Sequence, residues 1–374
     1  MAAITQTCTH CILDTSETAI AFDSKGVCQY CNTYFTLSET KNRKSSEQNT
    51  QQKLHEHIEQ IKKDGRNKEY DCIIGVSGGV DSSYVAYLSK QYGLRPLAVH
   101  LDNGWDAELA VKNIENICKK LDIDLYTHVI NWEEFKDLQL SFLKASVANA
   151  EAPSDHAIFS ILYLMANKYG IKWIIDGVNH ATEYVREGVE TAGYTYTDLT
   201  QIKGIHKKFG KMPLKSYPTM SYYRKLYYRH LLGIKQFSIL DYVEYNKEVA
   251  LKLLHDQLEW RSYGAKHHES LFTKWHQVVY LVQKFGYDKR KLHLSDLVLS
   301  GQISRETALL EIAKPPLPQN EQIELEEYVQ KKMGLTKEEY QQILSAAPRS
   351  YRDYPNDEWI INSYKKYKKR NAAK

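Results

Sequence analysis

The chain has 374 residues and a formal net charge of +4, with 50 Lys and Arg against 46 Asp and Glu. That length allows two or three domains and at least one sizeable core, and the charge is too mild to argue for or against nucleic acid. No apolar run reaches the roughly 18 residues a membrane span needs, and the opening MAAITQTCTH has no basic stretch followed by an apolar one, so a cytoplasmic protein without a secretory leader is expected.

Residues 1–40 hold four of the six cysteines, spaced as Cys8-x2-Cys11 and Cys28-x2-Cys31. Without an oxidising compartment such pairs are metal ligands rather than disulfides. So short a segment cannot hold itself together by burial, so a bound ion supplies its folding energy. Four thiolates close the coordination shell, which makes the site structural; zinc is expected, with iron the alternative that all-sulfur ligation also admits. The remaining Cys72 and Cys118 are expected to be small buried hydrophobes.

Residues 41–69 read as a polar linker (KNRKSSEQNTQQ) followed by an amphipathic helix carrying Leu54, Ile58 and Ile61. From 70 to 245, strand and helix patterns alternate, which predicts an α/β domain with a doubly wound parallel sheet. Predicted strands are Cys72–Val76, Pro96–Leu101, Leu125–Ile130 and Lys172–Ile175; QFSILDY (236–242) reads as a further strand. A helix is expected from Ser154 to Tyr169, with Ser154 or Asp155 as its cap. Residues 246–374 read as mostly helical, with helices near 246–258, 273–285, 304–312, 320–332 and 336–346 and a frayed basic tail.

The most constrained stretch is YDCIIGVSGGVDSSYVAYL (70–88). A strand, a glycine turn and a helix N-terminus make an anion site, because glycines let the backbone approach and the first helical N–H groups point at the ligand. There is no lysine after the glycines and no G-x-G-x-x-G, so neither a β/γ-phosphate-gripping loop nor a dinucleotide site is expected. Ser77, Gly78, Gly79, Val80, Asp81, Ser82 and Ser83 instead suit a pyrophosphate with a bound Mg2+. Ligands in such sheets sit beyond the carboxyl ends of the strands. There His100, Asp102 and Asn103 are candidates to face the nucleoside, Gly177 and Asn179 to line the cofactor, and Glu183 to join Asp81 on the cation. At each position turn or capping duty is the competing assignment. Asp155 and His156, beside Glu151, are candidate substrate or proton-transfer groups. So are Tyr263, Lys266, His268 and Glu269 in WRSYGAKHHES (260–270), which is expected to reach back over the cleft. Nine Lys or Arg and no acid between Lys203 and Lys235, interleaved with tyrosines, suit RNA, a nucleotide-sugar pyrophosphate or an acidic partner protein.

SGGVDS resembles the signature of the PP-loop ATP pyrophosphatases, which split ATP between its α and β phosphates. With CxHC…CxYC, AVHLDNGW, IIDGVNHATE, YGAKHHESLFTKWHQ and KFGYDKRKLHLSDLVLSGQISRE, nearly the whole chain resembles the N-acetyl sugar amidotransferases of bacterial surface-polysaccharide (lipopolysaccharide O-antigen or nonulosonic acid) biosynthesis. The resemblance implies ATP- and Mg2+-dependent adenylation of an acetamido group on a free or nucleotide-linked sugar, then attack by ammonia to give an acetamidino sugar, AMP and pyrophosphate. Ser77, Asp81, Ser82 and Glu183 would carry that chemistry. Ala2 follows Met1 where an N-terminal nucleophile glutaminase needs Cys, and no G-x-C-x-G elbow occurs. The resemblance therefore implies a partner similar to the glutaminase and cyclase pair of histidine biosynthesis. The competing readings are a tRNA-thiolating PP-loop enzyme, which would need reactive cysteines near the loop, and a non-catalytic nucleotide-binding adaptor. No nucleic-acid partner is expected on the favoured reading.

Overall fold

The computed structural model describes residues 6–17, 20–44, 47–264 and 268–372. In chain order its first elements are α1 (Gln29–Lys44), α2 (Glu47–Gly65), β1 (Cys72–Gly75), α3 (Val80–Gln91), β2 (Pro96–Asp102), α4 (Glu108–Lys120), β3 (Asp124–Val129), α5 (Trp132–Ala145), α6 (Ala152–Lys168), β4 (Trp173–Asp176), the single turn α7 (Val189–Ala192), α8 (Leu199–Phe209), α9 (Tyr222–His230), β5 (Lys235–Ser238) and α10 (Lys247–Leu258). The five strands form one sheet in the order β3-β2-β1-β4-β5, every neighbour parallel. Strand order reverses between β1 and β4, the switch point at which a crevice opens beyond the carboxyl ends.

Alternation along the strands divides the interior in two. Ile73, Leu97, Val99, Leu101 and Ile174 face a core built with α5, α6 and the C-terminal helices, including Phe272, Trp275, Val329 and Tyr340. Cys72, Ile74, Ala98, Trp173 and Ile175 face the other side, where Leu54, Ile58 and Ile61 of α2 and Leu254 and Leu258 of α10 close the layer. The sheet is thus covered on both faces, as an all-parallel sheet must be.

The chain beyond 246 does not stand apart: its helices complete both cores and hold the N-terminal module. Arg305 donates to the carbonyls of Cys8 (2.9 Å) and Cys11 (3.0 Å), Lys291 pairs with Asp14 at 2.6 Å, and the cysteines share a cluster with Leu281, Leu292 and Leu299.

Several sequence expectations are corrected. Most of the expected linker is helical, in the end of α1 and the start of α2, because Lys, Arg, Glu and Gln are good helix formers. The helix expected from Ser154 begins at Ala152 with Pro153 in its first turn; Ser154 and Asp155 lie inside it and cap nothing. QFSILDY is a strand only as far as Ser238 and then turns as a 3-10 helix over Ile239–Tyr242. Residues expected to fray belong to a helix, Glu358–Ala372. The helix placed at 273–285 runs from Leu271 to Phe285 and carries a π turn at His276–Tyr280.

Candidate active site

Gly78 adopts φ +80°, and a Cβ there would lie 2.5 Å from the Ala110 carbonyl oxygen, so this turn admits glycine alone. Gly79 then caps α3 without any side-chain bond to the first turn. The cap therefore takes none of the N-terminal amides of α3, and the helix dipole stands behind them. Hydroxyls surround the turn: Ser77 Oγ and Ser82 Oγ are 3.2 Å apart, Ser82 Oγ also receives the Ser77 amide, and Ser83 Oγ donates to the Gly79 carbonyl at 2.6 Å. Val80, the first residue of α3, is buried beneath it.

The carboxylates come from both sides. Asp81, in the first turn of α3, accepts from the Tyr245 hydroxyl. Glu269 approaches from the C-terminal region: Ser77 Oγ donates to its Oε1 at 3.3 Å, and that oxygen would sit 3.0 Å from a Cβ on Gly79. The Tyr263 hydroxyl lies on the same spot and bonds Glu269 and the Val80 amide; burial, then the Glu269 charge, holds its proton on far above the usual phenol range. A carboxylate oxygen thus stands where the turn would receive a phosphate oxygen.

Four hydrogen bonds bind this strap to the loop and to the start of α4. Trp260 Nε1 donates to the Gly78 carbonyl (2.9 Å), Asn113 bridges to both the amide and carbonyl of Arg261, and Ala107 N donates to the Glu269 carbonyl (2.8 Å) beside an antiparallel bridge between Asp106 and Ser270. The expectation that 260–270 reaches over the cleft is met at Tyr263 and Glu269; His268 is buried nearby, and Lys266 lies outside the described residues.

The loop after β4 closes the other wall. A Cβ on Gly177 would stand 3.2 Å from the backbone carbon of Asp81, so glycine lets the two loops touch. Asn179 spends its carboxamide inside the turn, accepting from Thr182 N at 2.8 Å and donating to Gly177 O. Glu183 follows; its charge reaches Tyr245, the partner of Asp81, and the half-buried Asp176.

After β2, Asp102 and Asn103 accept from the amides of Gly104 and Trp105 and so shape the turn. His100 is buried with Nδ1 on the Val76 carbonyl (2.9 Å) and Nε2 on Asp106 (3.1 Å). Burial opposes its charge, but Asp106 and the Val76 carbonyl outweigh it and raise its pKa. Its ring ties the end of β1 to the bridge at Asp106.

A second group of titratable side chains gathers around Glu151. His276, in the π turn, bonds the Ala148 carbonyl through Nε2 (2.8 Å) and faces Glu151 at 3.5 Å; Thr273 donates to Glu151 at 2.5 Å. Lys289 pairs with Glu187 at 2.7 Å and feels Glu151 and Asp155 as well. The Glu151 carboxyl is pulled to about 2: burial works to raise it, and His276 and Lys289 overcome that. Asp155 goes the other way, pushed up to about 8 by burial and then by Glu151. Asp155 and Glu183 both bear on Tyr196, which joins this group to the loop side of the cleft. His156, by contrast, donates from Nδ1 to Tyr196 O (2.6 Å) and receives Met220 N on Nε2 (3.1 Å); burial drops it to about 4, so its neutral ring is a strut between two loops. Sequence reading singled out neither Tyr245, Trp260, Thr273, His276 nor Lys289; the density of donors in 260–276 is the signal that points to most of them.

The four N-terminal cysteines are all buried, and their sulfurs lie within 4.8 Å of one another, with neighbours 3.5–3.7 Å apart. A single ion with sulfurs at about 2.3 Å on tetrahedral corners spaces them about 3.8 Å apart, so the donor set fits one metal and is too tight for the corners of an iron–sulfur cubane. Amides of His10, Cys11 and Cys28 point at Cys8 Sγ, as metal-bound thiolate favours. This is a four-cysteine metal-binding site. Among the described residues no helix is long and apolar enough to cross a membrane.

Comparison with known proteins agrees with this architecture. Residues 36–217 match the NAD synthase family, and residues 269–369 match the family described as LPS biosynthesis protein WbpG-like, C-terminal domain. The parallel sheet, the loop and the first match define an ATP-using protein of the PP-loop class. The second match adds a WbpG-like C-terminal region, so the two matched segments together support a WbpG-like PP-loop protein. An uncharacterized protein of Methanocaldococcus jannaschii is 23% identical over 318 residues, 83% of this chain and 94% of that one. A tRNA-specific 2-thiouridylase of Fusobacterium nucleatum is 28% identical over 119 residues, and a tRNA(Ile)-lysidine synthase of Clostridium tetani 28% over 182. The alignments span 34% and 38% of those two proteins, and 30% and 40% of this chain. Among solved structures, NMN synthetase from Francisella tularensis is 17% identical, covering 62% of this chain and 93% of that one, but its TM-score of 0.30 is too low to carry an argument.

Proposed function

We propose that the chain is an ATP-dependent amidotransferase that converts the acetamido group of a free or nucleotide-linked N-acetyl sugar into an acetamidino group. One observation carries the reading: the WbpG-like match begins at Glu269, the residue whose carboxylate meets Ser77 of the phosphate loop. On this reading the part of the chain distinctive of that family would supply one wall of the ATP site, and its Thr273, His276 and Lys289, which engage Glu151 and Glu187, would serve the sugar.

Catalysis on this reading is positioning and charge stabilisation. The amide oxygen attacks the α-phosphorus and pyrophosphate leaves into the turn of Ser77, Gly78, Gly79, Ser82 and the α3 amides. Ammonia then attacks the imidate carbon, and the carbon–oxygen bond breaks as AMP departs. Asp81, Glu183 and the serine hydroxyls are hard oxygen donors that fit Mg2+, which would neutralise charge on the phosphates. Glu269 and Tyr263 withdraw as the triphosphate enters. Burial and Glu151 keep a proton on Asp155 near neutral pH, and on this reading it would exchange that proton with the incoming amine. Zinc in the four-cysteine site fits a purely structural role. A separate glutaminase and cyclase pair would supply ammonia in the cytoplasm, with lipopolysaccharide O-antigen or nonulosonic acid synthesis the setting.

Mass spectrometry of N-acetylated nucleotide sugars after incubation with ATP, Mg2+ and ammonium tests this: replacement of oxygen by NH supports it, and unchanged sugars across the panel oppose it. The partial alignments with tRNA-modifying enzymes favour a second reading, sulfur transfer to tRNA. Against it, burial pushes Cys72 well up and Cys118 to about 11, which leaves neither as a ready thiolate. The Cys72→Ser, Cys118→Ser double variant should keep full activity on the sugar; loss of all activity would favour the thiolase.

A further inference from the structure

Away from the phosphate loop, α9 and the last helix (Glu358–Ala372) line an open-mouthed cavity of about 220 Å3 beside the 194–195 turn. Lys225 and Arg229 enter it from successive turns of α9 and Lys365 from the facing helix; Tyr194, Tyr222 and Tyr364 form much of the remaining wall. None of its lining residues is acidic. Among the described residues no hydrogen bond or ion pair engages the side chain of Lys225 or Arg229. Like charges one helical turn apart repel, and this cavity offers nothing to offset them.

The walls are nonetheless built. Tyr194 donates to Asn362 Oδ1 and receives Lys365 Nζ at 3.2 Å, His230 meets the Tyr364 hydroxyl at 2.8 Å, and Tyr222 stands edge-on to Tyr364 at 6.0 Å. Burial, and after it Arg229, pulls the Lys225 ammonium below its usual range, as expected for cations gathered without a counter-charge. Cations converging between aromatic faces match an anion that carries a ring.

We propose that this cavity is a second anion site, separate from the phosphate loop, that takes the diphosphate group of a small molecule. Lys225, Arg229 and Lys365 hold the phosphates and the tyrosines flank whatever the diphosphate carries. The shared chemistry is a diphosphate, either inorganic or at the end of a nucleoside. The assignment is independent of the amidotransferase reaction, since it rests on none of the residues given to that reaction.

Calorimetric titration of UDP and of inorganic pyrophosphate into the full chain and into the K225Q/R229Q variant tests it. Both residues are at least partly exposed, so the variant should fold, and a matching thermal melt checks this. The loop is intact in both proteins, so binding common to the two belongs to the loop. The wild type should show one further diphosphate site, weakened at least tenfold in the variant, with ATP binding unchanged. A site for UDP stronger than for pyrophosphate identifies a nucleotide; equal strength identifies the bare diphosphate. Identical isotherms for the two proteins overturn the proposal. So does a wild type that binds neither diphosphate yet binds a short RNA through Lys225 and Arg229.

Discussion

Asp81 and Asp155 do opposite things with the same functional group. Asp81 is partnered by Tyr245 at the mouth of the phosphate turn, and its proposed work is to hold the cation there. Asp81→Asn should reduce pyrophosphate release by about 100- to 1,000-fold, the scale seen when one charge-stabilising group is removed, with thermal stability little changed. Asp155 retains its proton because burial and Glu151 penalise its charge. Its folded pKa lies above the unfolded value of about 3.9, so the native state binds the extra proton between roughly pH 4 and 8 and stability falls as pH rises through that window. Asp155→Asn should abolish this loss, at most about 1.4 kcal/mol per pH unit, in denaturant titrations at pH 5 and 8. Parallel wild-type and variant curves would remove Asp155 from the account. Gly78→Ala forces both a left-handed backbone and a clash with Ala110. It should cost about 2 kcal/mol or more and eliminate ATP binding, both readable by thermal shift with and without nucleotide.

Local pattern set most of the elements near the site, and long-range contact set the rest. The strands were legible because short apolar runs such as CIIG and WIID admit little else, and the phosphate turn was legible because its glycines and hydroxyls fall in one uninterrupted stretch. α9 was not: YYRKLYYRH has no clean apolar stripe, and only Tyr228 is buried. The start of α6 was readable in principle from Pro153, since proline belongs in a first helical turn, but Ser-Asp in the next two positions imitates a cap. The strap 260–264 is marked in the sequence by its donors, whereas its partners Gly78 and Asn113 lie 182 and 148 positions earlier and no local rule joins them. Trp260→Ala tests that strap as an element. It should destabilise by about 3–5 kcal/mol and raise the KM for ATP more than it lowers kcat, because the loop loses its cover rather than its chemistry.

At the scale of the molecule, the N-terminal cysteine module, the sheet and the C-terminal helices form one cooperative body. The sulfur cluster shares its apolar contacts with Val185, in the segment following Glu183, and with Leu281, at the end of the π turn that carries His276. Metal removal by a chelator should therefore lower a single melting transition of the whole chain; a small early transition with the main one unmoved would show an independent module. The same continuity explains how residues more than a hundred positions apart, Glu151 and His276 among them, come into contact. What the site is proposed to accomplish is a bond between an amide oxygen and the α-phosphorus of ATP. The most direct measurement starts from an N-acetylated sugar with heavy oxygen in its acetyl carbonyl, incubated with ATP, Mg2+ and ammonium. Mass analysis should find the heavy oxygen in AMP and an unlabelled acetamidino sugar. Unlabelled AMP, or ADP and phosphate as the nucleotide products, would contradict the account.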